Sequence, residues 1–187
     1  MPERRKKSKN NKPRRSSVGS SSSAKALKLR WVVGLGYDVH RLVKGRRLVL
    51  GGVEIPSSVG GLYGHSDADV LCHAVADACL GAFGLGDIGE HFPPSQPKWK
   101  NISSLLLLDW VRIAVEKKKG KIMHIDSTII AQEPKIAPYR MRMKAQIAAA
   151  LRLPPERVSV KATTPETLGA LGRREGIAAM AVALGQY

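Results

Sequence analysis

The stretch Gly64–Phe83, GHSDADVLCHAVADACLGAF, decides how this chain folds. From Val70 onward it is almost wholly apolar or small, and it reads as an Ala-rich helix. Asp69, His73 and Asp77 recur at four-residue spacing on that helix, and positions i and i+4 share a face. Either carboxylate is therefore placed to orient the His73 ring through its second nitrogen. Ser66 with the carboxylate of Asp69 three residues later gives a capping-box-like start, so the helix is expected from Ser66 to about Phe83. Cys72 and Cys79 lie seven apart on it, about 10 Å of rise, whereas a disulfide needs Cα atoms within about 7 Å. They read as reduced core residues.

Just upstream, residues 31–39, WVVGLGYDV, read as a strand that ends at Asp38-Val39-His40. A strand has period two, so Asp38 and His40 point to one face. With His73 they make a three-ligand set, and three ligands with an open fourth position suit a catalytic zinc. Each residue alone has a plainer reading: D-x-H arises by chance, and a helical His packs or caps.

Outward from this pair, Lys44-Gly45-Arg46 gives a turn, and Arg47 to Ile55 reads as a strand broken at Gly51-Gly52. Pro56 to Gly64 is a loop, as is Gly84 to Lys100. Helices are expected over Ser103–Lys118 and Tyr139–Leu151. Strands are expected over Met123–Ala131, Arg157–Ala162 and Gly176–Leu184, with a short helix before the last. The fold class is α/β, an α+β sandwich: a mixed four-stranded sheet with helices on one face. The other face needs cover, which an oligomer supplies.

The net charge of +16 over 187 residues is uneven. Residues 1–30 hold eleven Lys or Arg, one acid and seven Ser, which leaves about +6 for residues 31–187. The first segment reads as a basic, Ser-rich disordered tail, and the rest as one domain. The domain's modest charge weakens a nucleic-acid role for it. The tail has three readings: a solvated arm, an organelle transit peptide, or an arm for nucleic acid or another acidic partner. No window approaches the ~18–20 apolar residues of a membrane span. The expected location is cytoplasmic, or the plastid if the tail is a transit peptide.

Two further segments suit anions. Gly64 to Asp69 lies at a loop-to-helix junction, where free N–H groups favour a negative ligand. In Lys161 to Glu166, Thr164 reads as a helix cap with Pro165 in the first turn. Two hydroxyls and a lysine there suit phosphate, and Glu166 suits a hard cation such as Mg²⁺. Phosphoryl transfer needs positioning and charge neutralisation more than a protein nucleophile. Neither a G-x-S-x-G elbow nor a Walker loop is present, which agrees with that chemistry.

GYDVHR, GGVEIP, GHSDADVLCHAVADACLGA, GLGDIG, TIIAQEPKIAP, VKATTPETLG and GRREGIA occur in this order. With them, residues 32–185 resemble the 2-C-methyl-D-erythritol 2,4-cyclodiphosphate synthase family of the non-mevalonate isoprenoid pathway. The resemblance implies a homotrimer with active sites between subunits. It implies cyclisation of a small diphosphocytidyl substrate, 4-diphosphocytidyl-2-C-methyl-D-erythritol 2-phosphate, with release of CMP. Asp38, His40 and His73 match zinc ligands, and Glu166 matches the residue for magnesium or manganese. His65 and Thr164 match transition-state-stabilising positions, and Ser66 lies in the substrate loop. Asp87, Ile88, Gly89, Phe92 and Gln96 match the methylerythritol pocket. Ala131, Pro134, Lys135, Ile136 and Ala137 match the cytidine site contributed by a neighbouring subunit, with Thr163 and Lys135 near the phosphates. Ala170 stands where an aromatic is common, and Arg173 lies near the trimer cavity. The chain departs from the family at Phe92-Pro93-Pro94, where F-P-D is usual, and at Gln96, where an acid is usual. It also reads Thr163-Thr164-Pro165-Glu166 for T-T-T-E and Gly172-Arg173-Arg174-Glu175 for G-R-G-E. A zinc-dependent phosphate-ester hydrolase on the same scaffold is the alternative activity.

Overall fold

The computed structural model describes residues 30–187, so the basic segment, apart from Arg30, lies outside the described residues. The strands are β1 (Trp31–Val43), β2 (Leu48–Leu50), β3 (Val53–Ile55), β4 (Gly61–Leu62), β5 (Lys121–Ile130), β6 (Val158–Thr163) and β7 (Gly176–Gln186). The helices are α1 (Val70–Ala82), α2 (Ile88–His91), α3 (Ser104–Lys117), α4 (Arg140–Leu151) and α5 (Gly169–Gly172). The main sheet runs β4-β1-β7-β5-β6. Only the β5–β6 pair is parallel; β1–β4, β1–β7 and β5–β7 are antiparallel. The sheet is therefore mixed, as expected, but it has a fifth, two-residue edge strand.

Arg47 to Ile55 is not one interrupted strand. β2 and β3 pair antiparallel as a separate hairpin, Leu48 opposite Ile55. Gly51 and Gly52 form its two-residue turn, with φ of 56° and 72°. Positive φ at both central residues matches the right-handed twist of a hairpin, and glycine adopts it without strain.

α1 begins later than the capping-box reading places it. Ala68 sits at φ 57°, which interrupts any helix from Ser66, and Asp69 is the N-cap. The fully buried Asp69 carboxylate accepts the N–H groups of Leu71 and Cys72, and also those of Gly51 and Gly52. One side chain thus ties the hairpin to the start of α1. Burial raises the Asp69 pKa, the nearby Asp67 charge adds to this, and the N–H donors oppose it.

Packing of α1 on the sheet is set by small residues. Even-numbered residues of β1 face the helices. A Cβ on Gly34 would lie 2.1 Å from the carbonyl oxygen of Ala78, and one on Gly36 would lie 2.0 Å from that of Ala74. Ala179, Ala181 and Ala183 of β7 are buried under the same helix layer. α3 packs on α1, and α4 on α3 and β6, so all three long helices cover one face. Cys72 and Cys79 are free and buried there; burial raises both thiols, Cys79 to about 12.

The opposite face is apolar and left uncovered by the described residues. Val33 and Leu35 are 66% and 63% exposed, and Trp31, Tyr37, Val39, Met180, Val182 and Leu184 share that surface. Among the described residues, no helix is long and apolar enough to cross a membrane.

Candidate active site

The glycines of β1 stop at Gly36, and side chains resume on the helix-facing side at Asp38 and His40. α1 touches the strand at Ala74 over Gly36, so its neighbour His73 arrives beside Asp38. Asp38 Oδ2 lies 2.9 Å from both His40 Nε2 and His73 Nδ1. The two imidazole nitrogens are 3.1 Å apart. These three atoms form the His/Cys/Asp/Glu cluster with metal-ligand spacing found among the described residues.

The donor set fits a metal ion. His40 Nδ1 is 2.8 Å from the Tyr63 carbonyl, which only accepts, so this nitrogen carries the proton. In the neutral ring Nε2 then turns a lone pair toward Asp38 and His73. A carboxylate oxygen and imidazole lone pairs meeting at about 3 Å suit a shared metal cation, and without one a proton on a ring bonds it to Asp38. Ligands at ~2.0–2.1 Å on a tetrahedral zinc stand roughly 3.3 Å apart, a little wider than the edges here. Burial opposes charge on Asp38, but hydrogen bonds to His40 and His73 outweigh it and hold the carboxyl below its ordinary range. Burial likewise opposes charge on His40. The Asp38 bond and charge and the Tyr63 carbonyl overcome it and raise the ring's pKa, against the nearby Arg46.

The second nitrogen of His73 is not oriented by Asp69 or Asp77. Asp69 is committed to its four N–H groups, and Asp77 accepts the Ile88 N–H. His73 Nε2 instead faces the hydroxyls of Ser104 at 3.0 Å and Ser66 at 3.2 Å. Arg46 donates to the carbonyls of Gly64 and Ser66, which brackets His65 in its loop. The reading of the sequence singled out neither Ser104 nor Arg46, because both reach the site across long loops and carry no local spacing signal.

A cleft of about 250 Å³ opens beside Asp38, His40 and His73. His65, Ser66, Ile88, Gly89 and Phe92 line it, together with Pro94, Trp99, Ile102 and Leu107. His65 Nε2 is 3.3 Å from the backbone carbonyl of Gln96. The Asp87 carboxylate accepts the Glu90 N–H at the start of α2. Pro94 and Trp99 make this part of the cleft wall apolar.

A second cavity, about 430 Å³, collects Ala131, Pro134, Lys135, Ile136, Ala137, Thr163 and Thr164. Thr164 and Pro165 do not start a helix. Leu168 N–H bonds to the Pro165 carbonyl, and Glu166 and Thr167 between them have φ of 50° and 63°. That is a tight turn with both central residues left-handed, as in type I′. Glu166 is exposed and accepts the Thr164 hydroxyl on one oxygen. Ala170 lies on α5, and Arg173 at its end pairs with Glu175. Within one chain, then, most expected site residues divide between two cavities, while Asp87, Gln96, Glu166, Ala170 and Arg173 line neither.

The YgbB family profile matches residues 31–186. The chain belongs to the YgbB family. A curated member, 2-C-methyl-D-erythritol 2,4-cyclodiphosphate synthase of Syntrophomonas wolfei, is 57% identical over 152 residues, covering 81% of this chain and 96% of that one. Among solved YgbB structures, the bifunctional IspDF of Campylobacter jejuni is 42% identical with TM-score 0.81, covering 85% of this chain and 43% of its own. The CDP complex of Plasmodium falciparum IspF is 34% identical with TM-score 0.71, covering 83% and 95%. The YgbB fold thus spans almost all described residues.

Proposed function

We propose that this protein is a 2-C-methyl-D-erythritol 2,4-cyclodiphosphate synthase acting in non-mevalonate isoprenoid precursor synthesis. The observation that carries the reading is the convergence of Asp38, His40 and His73 beside a cleft, in a chain of this family. The substrate is 4-diphosphocytidyl-2-C-methyl-D-erythritol 2-phosphate. An oxygen of its 2-phosphate attacks the β-phosphorus of its own diphosphate. A new P–O–P bond closes the ring, and the bond to the CMP oxygen breaks, with CMP leaving on that electron pair.

Zinc held by Asp38, His40 and His73 supplies Lewis-acid polarisation and alignment of a phosphoryl oxygen. Glu166 holds Mg²⁺ or Mn²⁺, for which an exposed carboxylate beside phosphates is a usual partner. Ile88, Gly89 and Phe92 bind the methylerythritol unit, and the loop carbonyl contact on His65 keeps that ring at the cleft. Ala131 to Ala137 form a pocket for the cytidine, in keeping with a relative that binds CDP. Lys135, Thr163 and Thr164 hold the phosphates.

The working form is a homotrimer. Two features support it: a bare apolar face on β1 and β7, and a set of substrate-binding residues divided between two cavities. A neighbouring subunit covers the first and brings the second cavity to the metal cleft.

The test is incubation of the zinc-loaded protein with the diphosphocytidyl substrate and Mg²⁺. CMP and a cyclic diphosphate, identified by mass, are the expected products. No CMP, or a linear product that has taken up ¹⁸O from labelled water, would overturn the reading in favour of hydrolysis. His73→Ala should abolish both stoichiometric zinc and CMP release. Retention of stoichiometric zinc would contradict the ligand assignment.

A further inference from the structure

We propose that Asp67 is a positioning residue for the metal site: acting through the Ser104 hydroxyl, it sets which nitrogen of His73 carries the proton. The inference rests on the zinc reading of Asp38, His40 and His73. The two imidazoles are oriented by different kinds of partner. His40 donates to a backbone carbonyl, whose polarity is fixed. His73 faces hydroxyls, which either donate or accept, so its tautomer depends on what the hydroxyl does next.

Ser104 Oγ lies 2.5 Å from Asp67 Oδ1 and 3.0 Å from His73 Nε2. An ionised carboxylate only accepts, so the hydroxyl hydrogen points to Asp67. The Ser104 oxygen then offers His73 lone pairs alone, and Nε2 must be the N–H donor. Nδ1 is left with its lone pair toward Asp38 and His40, which is the state a metal ligand needs. Ser66 Oγ, the other neighbour of Nε2, accepts the Ala68 N–H at 3.1 Å and has no carboxylate fixing its hydrogen. It therefore follows the ring and does not set it.

Asp67 is well held for this task. Its second oxygen accepts the Ser104 backbone N–H at 3.0 Å, and its own N–H donates to the Ile102 carbonyl at 3.0 Å. Two bonds to one residue fix the carboxylate against Ser104. Ser103, the formal N-cap of α3, makes no side-chain capping bond, so Asp67 caps that helix from a distant loop. Ser104 is 1% exposed, so water has little access to replace either partner.

Asp67→Asn keeps the shape and reverses the polarity. The amide oxygen goes to the Ser104 backbone N–H at 3.0 Å in preference to the Asp69 N–H, which Oδ1 accepts at the longer 3.3 Å, and this turns the NH₂ toward the Ser104 hydroxyl. That hydroxyl then donates to Nε2 and leaves the proton on Nδ1. Zinc affinity is measured by competition with a chromophoric chelator on metal-free wild type, Asp67→Asn, Ser104→Ala and the double variant. Asp67→Asn is expected to weaken zinc by roughly 10- to 100-fold, the usual effect of losing an orienting partner. In the Ser104→Ala background the same change should have no further effect on zinc, because the relay is already cut. Any loss of thermal stability from the helix cap should persist there, since the backbone N–H of residue 104 remains. Equal affinity of Asp67→Asn and wild type, or an equal loss in both backgrounds, overturns the inference. Should Asp67→Asn fail to fold, unchanged affinity in Ser104→Ala overturns it. Wild type that binds no zinc overturns the metal site itself, a result distinct from normal wild-type binding with no effect of the variants.

Discussion

The two faces of β1 carry opposite kinds of residue. Toward the helices the strand reads Val32, Gly34, Gly36, Asp38, His40; away from them it reads Trp31, Val33, Leu35, Tyr37, Val39. The inner face has almost no side chain where α1 crosses, and its polar groups appear where the helix leaves room. The outer face is a ladder of large apolar groups without a partner among the described residues. The difference teaches that the strand is shaped by two contacts. A close intramolecular one brings His73 to Asp38, and the other is the contact with a neighbouring subunit proposed above.

Gly36→Val tests the inner contact most severely. The added Cβ would meet the Ala74 carbonyl oxygen at 2.0 Å, a backbone atom that cannot swing aside. We expect a loss of about 3 kcal/mol or more, the upper range for overpacking, or no folded protein. An unchanged urea midpoint would show that α1 does not sit where the glycines put it.

Leu35→Glu tests the outer face. If that face is buried between subunits, the variant should sediment as a monomer, keep its zinc and lose CMP release. If it is free, a surface substitution changes stability by no more than ~0.5 kcal/mol and leaves assembly and activity intact. The second outcome would end the comparison as drawn.

The smallest expected effect is that of pH on the metal-free protein. Asp38 is held below its unfolded pKa of about 3.9, so its stabilisation is complete above roughly pH 4 and is lost as pH falls through the folded value. His40 is raised above about 6.5, so its stabilisation is complete below that pH and is lost as pH rises through the folded value. The pair should add most stability between about pH 4 and 6.5. Unfolding midpoints of chelator-treated protein should show this window, Asp38→Asn should flatten it, and Leu35→Glu should leave it in place. A flat profile in wild type would remove the ion-pair account of the inner face.

The placement of Asp38 and His40 side by side was legible because a strand's period of two is a local rule. The need for cover on the outer face was legible from the element order, which places the helices on one face of the sheet and leaves the other open. Other features were not legible. Asp69 and Asp77 had the helical spacing to orient His73, yet each is drawn off by backbone N–H groups from Gly51, Gly52 or Ile88. Thr164-Pro165 had the chemistry of a helix start, yet the chain turns there through two left-handed residues.

The sequence by itself determined the residue types of the Asp38, His40 and His73 cluster, the face that Asp38 and His40 share and the excess of basic charge before residue 31. Only the tertiary structure decided that Ser104 and Asp67 stand behind His73, that Arg46 brackets His65, and that most of the expected site residues divide between two cavities. The physical reason is range. Periodicity fixes what points the same way within one element, whereas hydrogen-bond partners thirty residues apart depend on where one element lands on another.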